Sequence, residues 1–200
     1  MRDQTRTRLV AGLLVFALVG AGALAAVGAL VGGLSGDDDP AAAPRTPIAT
    51  DLGEPLWNPC DALAPTQVAE LFGSTFDQQT GTAAEPRCIF TPTDEGGTIL
   101  DINYQLYDGT LQDIVDQLGD PGDTSELLEP GVPGASGARI VVDTADDALA
   151  VTGLVRNGRL VQVVNALDLS PYDKDVTVDG VEALLAALAA RAEDSGLNAG

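Results

Sequence analysis

The sequence predicts an α+β domain, an antiparallel sheet with helices packed on one face, preceded by one transmembrane helix. Three observations carry this expectation. Thr98 to Tyr107 alternates apolar and polar side chains, the period of a half-buried strand. Asn157-Gly158 separates two apolar stretches, Ala148–Arg156 and Arg159–Leu167, which is the strongest short-range signal for a hairpin. A run of 26 residues from Leu9 to Leu34 carries no charge.

At 1.5 Å per helical residue this run spans about 39 Å, enough for a hydrocarbon core of about 30 Å with some tilt. Arg2, Arg6 and Arg8 precede it and Asp37-Asp38-Asp39 follow. The arginines are expected to stay cytoplasmic, placing the rest of the chain outside. The expected organisation is a basic cytoplasmic tail over 1–8, an anchor over 9–34, a Pro-, Ala- and Asp-rich disordered linker over 35–55, and an extracytoplasmic domain over 56–196. The competing reading is a cleaved signal peptide ending at Ala23-Leu24-Ala25. The apolar run continues well past Ala25 and favours the anchor. A lipoprotein signal needs a cysteine directly after the apolar region, and the first cysteine is Cys60.

Composition narrows function by exclusion. The chain carries 30 acidic and 10 basic residues, a formal charge of −20. From Asp37 onward there are 29 acids and 7 bases, a net of −22. Such a polyanion is repelled by phosphate backbones, so nucleic acid is not an expected partner. There is no histidine, which removes the commonest general base and transition-metal ligand.

The folded domain is expected to begin at Leu56-Trp57. Pro65 suits the first turn of a helix whose apolar side is Val68, Leu71 and Phe72, with Gly73 as its stop. A polar loop through Gly81 and Pro86 leads to a strand over Arg87–Thr91, with Cys88 and Phe90 on one side. In an oxidising compartment the two cysteines, Cys60 and Cys88, are expected to form a disulfide, because no third thiol competes. A redox or nucleophilic thiol pair fits poorly, with no C-x-x-C spacing and no histidine to lower a thiol pKa.

The positions Pro59, Cys60, Leu63, Pro65, Leu71 and Gly73, followed by Cys88 and Phe90, resemble the actinobacterial envelope family described as domain of unknown function 3558. The resemblance covers roughly residues 57–90. It implies an exported domain and no catalytic residues. This chain departs from that pattern in having an anchor where many members have a lipid attachment site, and in having Phe90 where tryptophan is more usual.

Beyond the strand over Thr98–Tyr107, Thr110 is placed to cap a helix with Leu111, Ile114, Val115 and Leu118 on one side, ended by Gly119. Asp120–Gly137 reads as a surface loop, and Arg139–Val142 as a strand. With Asn157-Gly158 as a two-residue turn, Val155 is expected to face Leu160 and Leu154 to face Val161. Both faces of the hairpin are then apolar, and the second must meet a helix or a partner. Asp179 and Glu182 form a D-x-x-E capping box before Val181, Leu184, Leu185 and Leu188, which predicts the last helix.

Acidic groups are the only candidates for chemistry. Asp143, Asp146 and Asp147 offer oxygens to calcium but lack the EF-hand pattern, and Asp168, Asp173, Asp175 and Asp179 flank one loop. Gly134-Ala135-Ser136-Gly137 misses the spacing of a nucleophile elbow, and the single lysine, Lys174, lies in no phosphate loop. Trp57, Tyr104, Tyr107 and Tyr172 are scattered and form no sugar platform. The expected function is a non-enzymatic, membrane-tethered binding domain of the cell envelope, with no cofactor and no metal. The alternatives are a calcium-dependent module, a carboxylate-based hydrolase or a structural spacer.

Overall fold

The computed structural model describes residues 48–49, 55–82, 86–94, 96–118, 125–145 and 147–194. All belong to one compact unit, Thr46–Gly200. No helix among the described residues is long and apolar enough to cross a membrane. The expected anchor over Leu9–Leu34, the Asp37-Asp38-Asp39 cluster and Gly119 lie outside the described residues.

The domain is α+β, built on one antiparallel sheet. Two short strands, β1 (Ile48–Ala49) and β2 (Pro55–Leu56), pair with each other at the start. Two helices follow, α1 (Pro59–Ala62) and α2 (Pro65–Phe72), then β3 (Phe76–Thr80), β4 (Arg87–Pro92) and β5 (Ile99–Leu106). Helix α3 (Leu111–Leu118) leads to β6 (Ser125–Leu128), β7 (Gly137–Thr144), β8 (Ala148–Asn157) and β9 (Leu160–Leu169), and α4 (Lys174–Asp194) closes the domain. The seven strands lie in the order β3-β4-β5-β9-β8-β7-β6. The central strand β9 and its neighbour β8 are the arms of a single hairpin, so the longest ladder forms from the most local pairing.

On the inner face of the sheet, Phe90, Leu100, Ile102, Ile140, Leu149, Val151 and Val164 are fully buried. They pack with Val68 and Phe72 of α2 and with Val181, Leu184, Leu185 and Leu188 of α4. Helix α4 approaches the sheet closely because Gly153 has no side chain: a Cβ there would stand 2.6 Å from Val181 Cγ1. On its other side Gly180 admits the ring of Phe72, whose Cζ would lie 2.6 Å from an added Cβ.

Helix α2 begins with Pro65 at its first turn, and Gly73 ends it at φ 68°, its N–H donating to Ala69 O at 2.9 Å. Both features match the sequence expectation. At α3, Thr110 Oγ1 accepts from Asp113 N and Asp113 Oδ2 accepts from Thr110 N, a reciprocal capping box.

Several expectations are corrected. The helices do not all lie on one face. Gly137 shares the outer face with Arg139, and a Cβ built there would meet Leu111 Cδ1 at 3.5 Å, so α3 stands on the outer side. Val161, Val163 and Leu154 are fully buried on that face, so both faces of the hairpin are buried. The hairpin register also differs: Asn157 pairs with Leu160, Val155 with Gln162 and Leu154 with Val163. Gly158, at φ 59°, and Arg159 form the turn. Asn157 instead lies buried in the strand, where its amide donates to Gly134 O at 2.9 Å and its Oδ1 accepts from Gln162 Nε2 at 3.1 Å.

Helix α4 starts a turn and a half earlier than the D-x-x-E motif implies. Asp173 Oδ1 accepts from the N–H groups of Asp175 and Val176, leaving Asp179 and Glu182 inside the helix. Finally, β3 and β6 occupy stretches expected to be loop, and they are the two edges of the sheet.

Candidate interaction surface

The outer face of the sheet divides into three bands. Under α3 the residues are apolar and buried, with Leu111, Ile114 and Val115 of the helix buried as well. Arg156 ties the approach to α3 down by donating to the carbonyls of Gly109 and Tyr107. Next comes a polar band in register, Asp101–Asn165–Thr152 across β5, β9 and β8. Thr152 Oγ1 donates to Asn165 Oδ1 at 3.3 Å, and Arg87 makes a two-bonded ion pair with Asp101.

The third band is aliphatic: Ile99–Leu167–Ala150 in register, with Leu169 beside Ala148. No helix of the inner layer reaches it, because these side chains point the other way. Ile99 is 40% exposed and Leu169 57%. Leu127 on the edge strand β6 is also exposed and also faces outward, paired with Val141. Among the described residues the exposed large aliphatics are these three and Val176, so the outer face holds most of them. Alternation along β5 placed Asp101, Asn103 and Gln105 on a solvated face from sequence. The exposure of Ile99 and Leu169 carried no such signal, since an aliphatic at a strand end reads as core.

The cysteines do not form a site. Cys60 and Cys88 are joined in a disulfide with Cα atoms 5.1 Å apart, and both are buried, Cys88 completely. The bond ties α1 to β4. Gln78 of β3 reinforces the joint, its Nε2 lying 3.3 Å from Leu63 O and 3.4 Å from Cys60 O.

The acidic residues are dispersed rather than convergent. Asp143 accepts from Ser125 Oγ at the β6–β7 edge, Asp173 caps α4, and Asp175 and Asp179 are exposed on α4. Asp146 lies outside the described residues. No group of three or more His, Cys, Asp or Glu among the described residues is arranged to hold a metal ion. Ser136 Oγ donates to Arg156 O as a loop brace, and Lys174 pairs with Glu126 at 2.8 Å.

Among the described residues Asp168 is the one buried carboxylate. It is 7% exposed and accepts from Thr98 Oγ1 at 3.3 Å and from Thr177 Oγ1 at 3.5 Å, with no cation beside it. Burial raises its pKa, the hydroxyl and backbone N–H donors oppose that rise, and Asp173 adds to it. A folded pKa above the unfolded one means that ionising Asp168 works against the fold. Its contribution to stability is therefore present below the ordinary carboxylate range and is lost as pH rises through the raised value. Asp168→Asn is expected to remove this segment of the pH–stability curve and to raise the midpoint of urea unfolding at pH 7 relative to pH 4. An unchanged curve would show that the carboxylate is solvated. Asp113 has the opposite sign: the Thr110 N–H holds its pKa down, so its stabilisation is lost as pH falls.

Searches against family models, curated proteins and solved structures return no match to this chain.

Proposed function

We propose that this protein is a single-pass, membrane-tethered extracytoplasmic domain that binds a partner in the cell envelope through the outer face of its sheet, without catalysis of its own. The observation that carries the reading is the aliphatic band of Ile99, Leu167, Leu169 and Ala150, left on the side of the sheet opposite α4 and bordered by the polar band. Contiguous apolar surface of this kind, rimmed by polar groups, marks interaction sites more often than chance exposure of single residues does. The disulfide supports an oxidising compartment, and the charge-free run over Leu9–Leu34 after three arginines supports the anchor and its orientation. The resemblance to domain of unknown function 3558 points to the same compartment.

The test uses the full-length chain in detergent as bait for solubilised envelope proteins and glycans. Ile99→Asp with Leu169→Asp is expected to reduce retention of the captured partner at least tenfold, whereas Val176→Asp, an equally exposed aliphatic on α4, leaves it unchanged. Equal retention by both variants, or no specific retention by the wild type, overturns the proposal. Calcium added to a thermal melt separates the rival reading: a rise of several degrees would favour a cation-dependent module.

A further inference from the structure

The aliphatic band of the outer face has a carboxylate at each end. Ile99, Leu167 and Ala150 lie in one row across β5, β9 and β8. On one side the row continues from Ala150 to Asp143 of β7. On the other, the register that pairs Phe90 with Leu100 sets Thr91 opposite Ile99, and Thr91 pairs with Asp77 of β3. Asp77 and Thr91 are exposed, and Asp143 is half-buried. At about 4.8 Å between neighbouring strands, the five steps from β3 to β7 set the two carboxylates roughly 24 Å apart.

The domain's own bases are engaged elsewhere. Among the described residues Arg87, Arg139, Arg159 and Lys174 are paired with Asp101, Glu129, Asp108 and Glu126. Arg156 is committed to the carbonyls of Gly109 and Tyr107, and Arg191 belongs to α4, on the opposite side of the sheet. The polar row beside the band is thus balanced internally, because Asp101 has Arg87. The row of the band itself is not. Asp143 accepts from Ser125 Oγ, a neutral donor that leaves its charge in place.

We infer that this row docks a basic-aliphatic peptide segment of the partner. Its apolar centre lies on Ile99, Leu167 and Ala150, and a Lys or Arg at each end reaches Asp77 and Asp143. The inference rests on the outer face being the binding surface. Apolar contact supplies buried area, while the two carboxylates fix the position of the segment along the row and speed its approach. An extended segment of about seven residues covers the distance. Other occupants meet the same acids unfavourably. A two-fold pairing of this face with a second copy sets like charges against each other. An anionic lipid surface is repelled by a chain with 29 acids against 7 bases from Asp37 onward.

The experiment measures binding of two fluorescent peptides to the full-length chain in phosphatidylcholine nanodiscs, with empty nanodiscs as the baseline. Both peptides share one Leu- and Ala-rich centre; one carries lysines at each end, the other glutamates. The wild type is expected to bind the lysine peptide at least tenfold more tightly than the glutamate peptide. Asp77→Asn with Asp143→Asn keeps the shape of both side chains and is expected to weaken the lysine peptide about fivefold. Asp175→Asn with Asp179→Asn, the same change of charge on α4, is expected to weaken it less than twofold. Ile99→Ser with Leu167→Ser, which alters no charge, is expected to weaken it about tenfold. Equal weakening by the two Asp→Asn pairs overturns the inference, because the attraction is then that of net charge alone. So does equal affinity for the two peptides that is lost in Ile99→Ser with Leu167→Ser: the face then binds without selecting charge, and the proposed function stands. Binding of neither peptide, or an equal signal from empty nanodiscs, overturns it as well. The proposed function fails separately, when the wild type retains nothing specific from the envelope. An unchanged melting temperature shows that each variant is folded.

Discussion

Replacing both cysteines, as Cys60→Ala with Cys88→Ala, is expected to lower the stability of the domain by about 3–4 kcal/mol. The bond closes a segment of 28 residues in sequence, and in the chain-entropy model freeing a loop of that size from its cross-link favours the unfolded ensemble by this amount. For a domain of this size the melting temperature should fall by about 10 °C. The denaturant slope should rise slightly as well, because an unfolded chain without the cross-link exposes more surface. Local contacts add to the effect. Cys88 is fully buried between β3 and β5, and Cys60 lies in a four-residue helix that could not hold its position by propensity alone. Denaturation of the wild type with and without reductant checks the same quantity without mutation. Coincident curves, together with two thiols titratable in the unfolded protein before reduction, would show that the cysteines are not joined.

Phe90→Ala is expected to cost about 3–5 kcal/mol, the range for removing a large aromatic from a core that cannot collapse around the gap. Phe90 is fully buried on β4 and meets Phe76 edge-to-face at 6.1 Å. Phe76 in turn meets Phe72 of α2 at 6.3 Å. Removing Phe90 therefore opens a space in the core and leaves Phe76 of the edge strand β3 with one of its two ring contacts. Urea unfolding measures the loss, and a cost under about 1.5 kcal/mol would mean that β3 and α2 close over the vacated volume. A tryptophan introduced by Phe90→Trp is larger than the ring it replaces at a fully buried position beside Phe76 and is expected to destabilise by about 1–3 kcal/mol.

Sequence alone determined the elements in which one-sided burial imposes a period. The alternation of Leu100, Ile102 and Tyr104 placed β5, and the Cys88–Phe90 pair placed β4. The Val68-Leu71-Phe72 stripe with its Pro and Gly bounds placed α2, and Thr110 placed the start of α3. It also determined that the central hairpin has two apolar faces, the second of which had to meet a helix or a partner. The pairing of the two cysteines followed from their number together with the compartment that was expected.

Tertiary structure decided what depends on a neighbour rather than on a pattern. The edge strands β3 (FDQQT) and β6 (SELL) bury little and carry no alternation; they are strands because β4 and β7 offer them a row of backbone donors and acceptors. The hairpin turn moved by one residue because the amide of Asn157 is bonded to Gly134 and Gln162, so it serves the strand and leaves the bend to Gly158. Helix α4 begins at Lys174 because Asp173 caps it and Thr177 and Val181 are buried beneath it, despite a β-branched run from Val176 to Val178 that disfavours helix in isolation. The outer-face band emerged in the same way. Whether Ile99 and Leu169 are core or surface depends on how far α3 extends over the sheet, and eight residues of helix cover only one end of it.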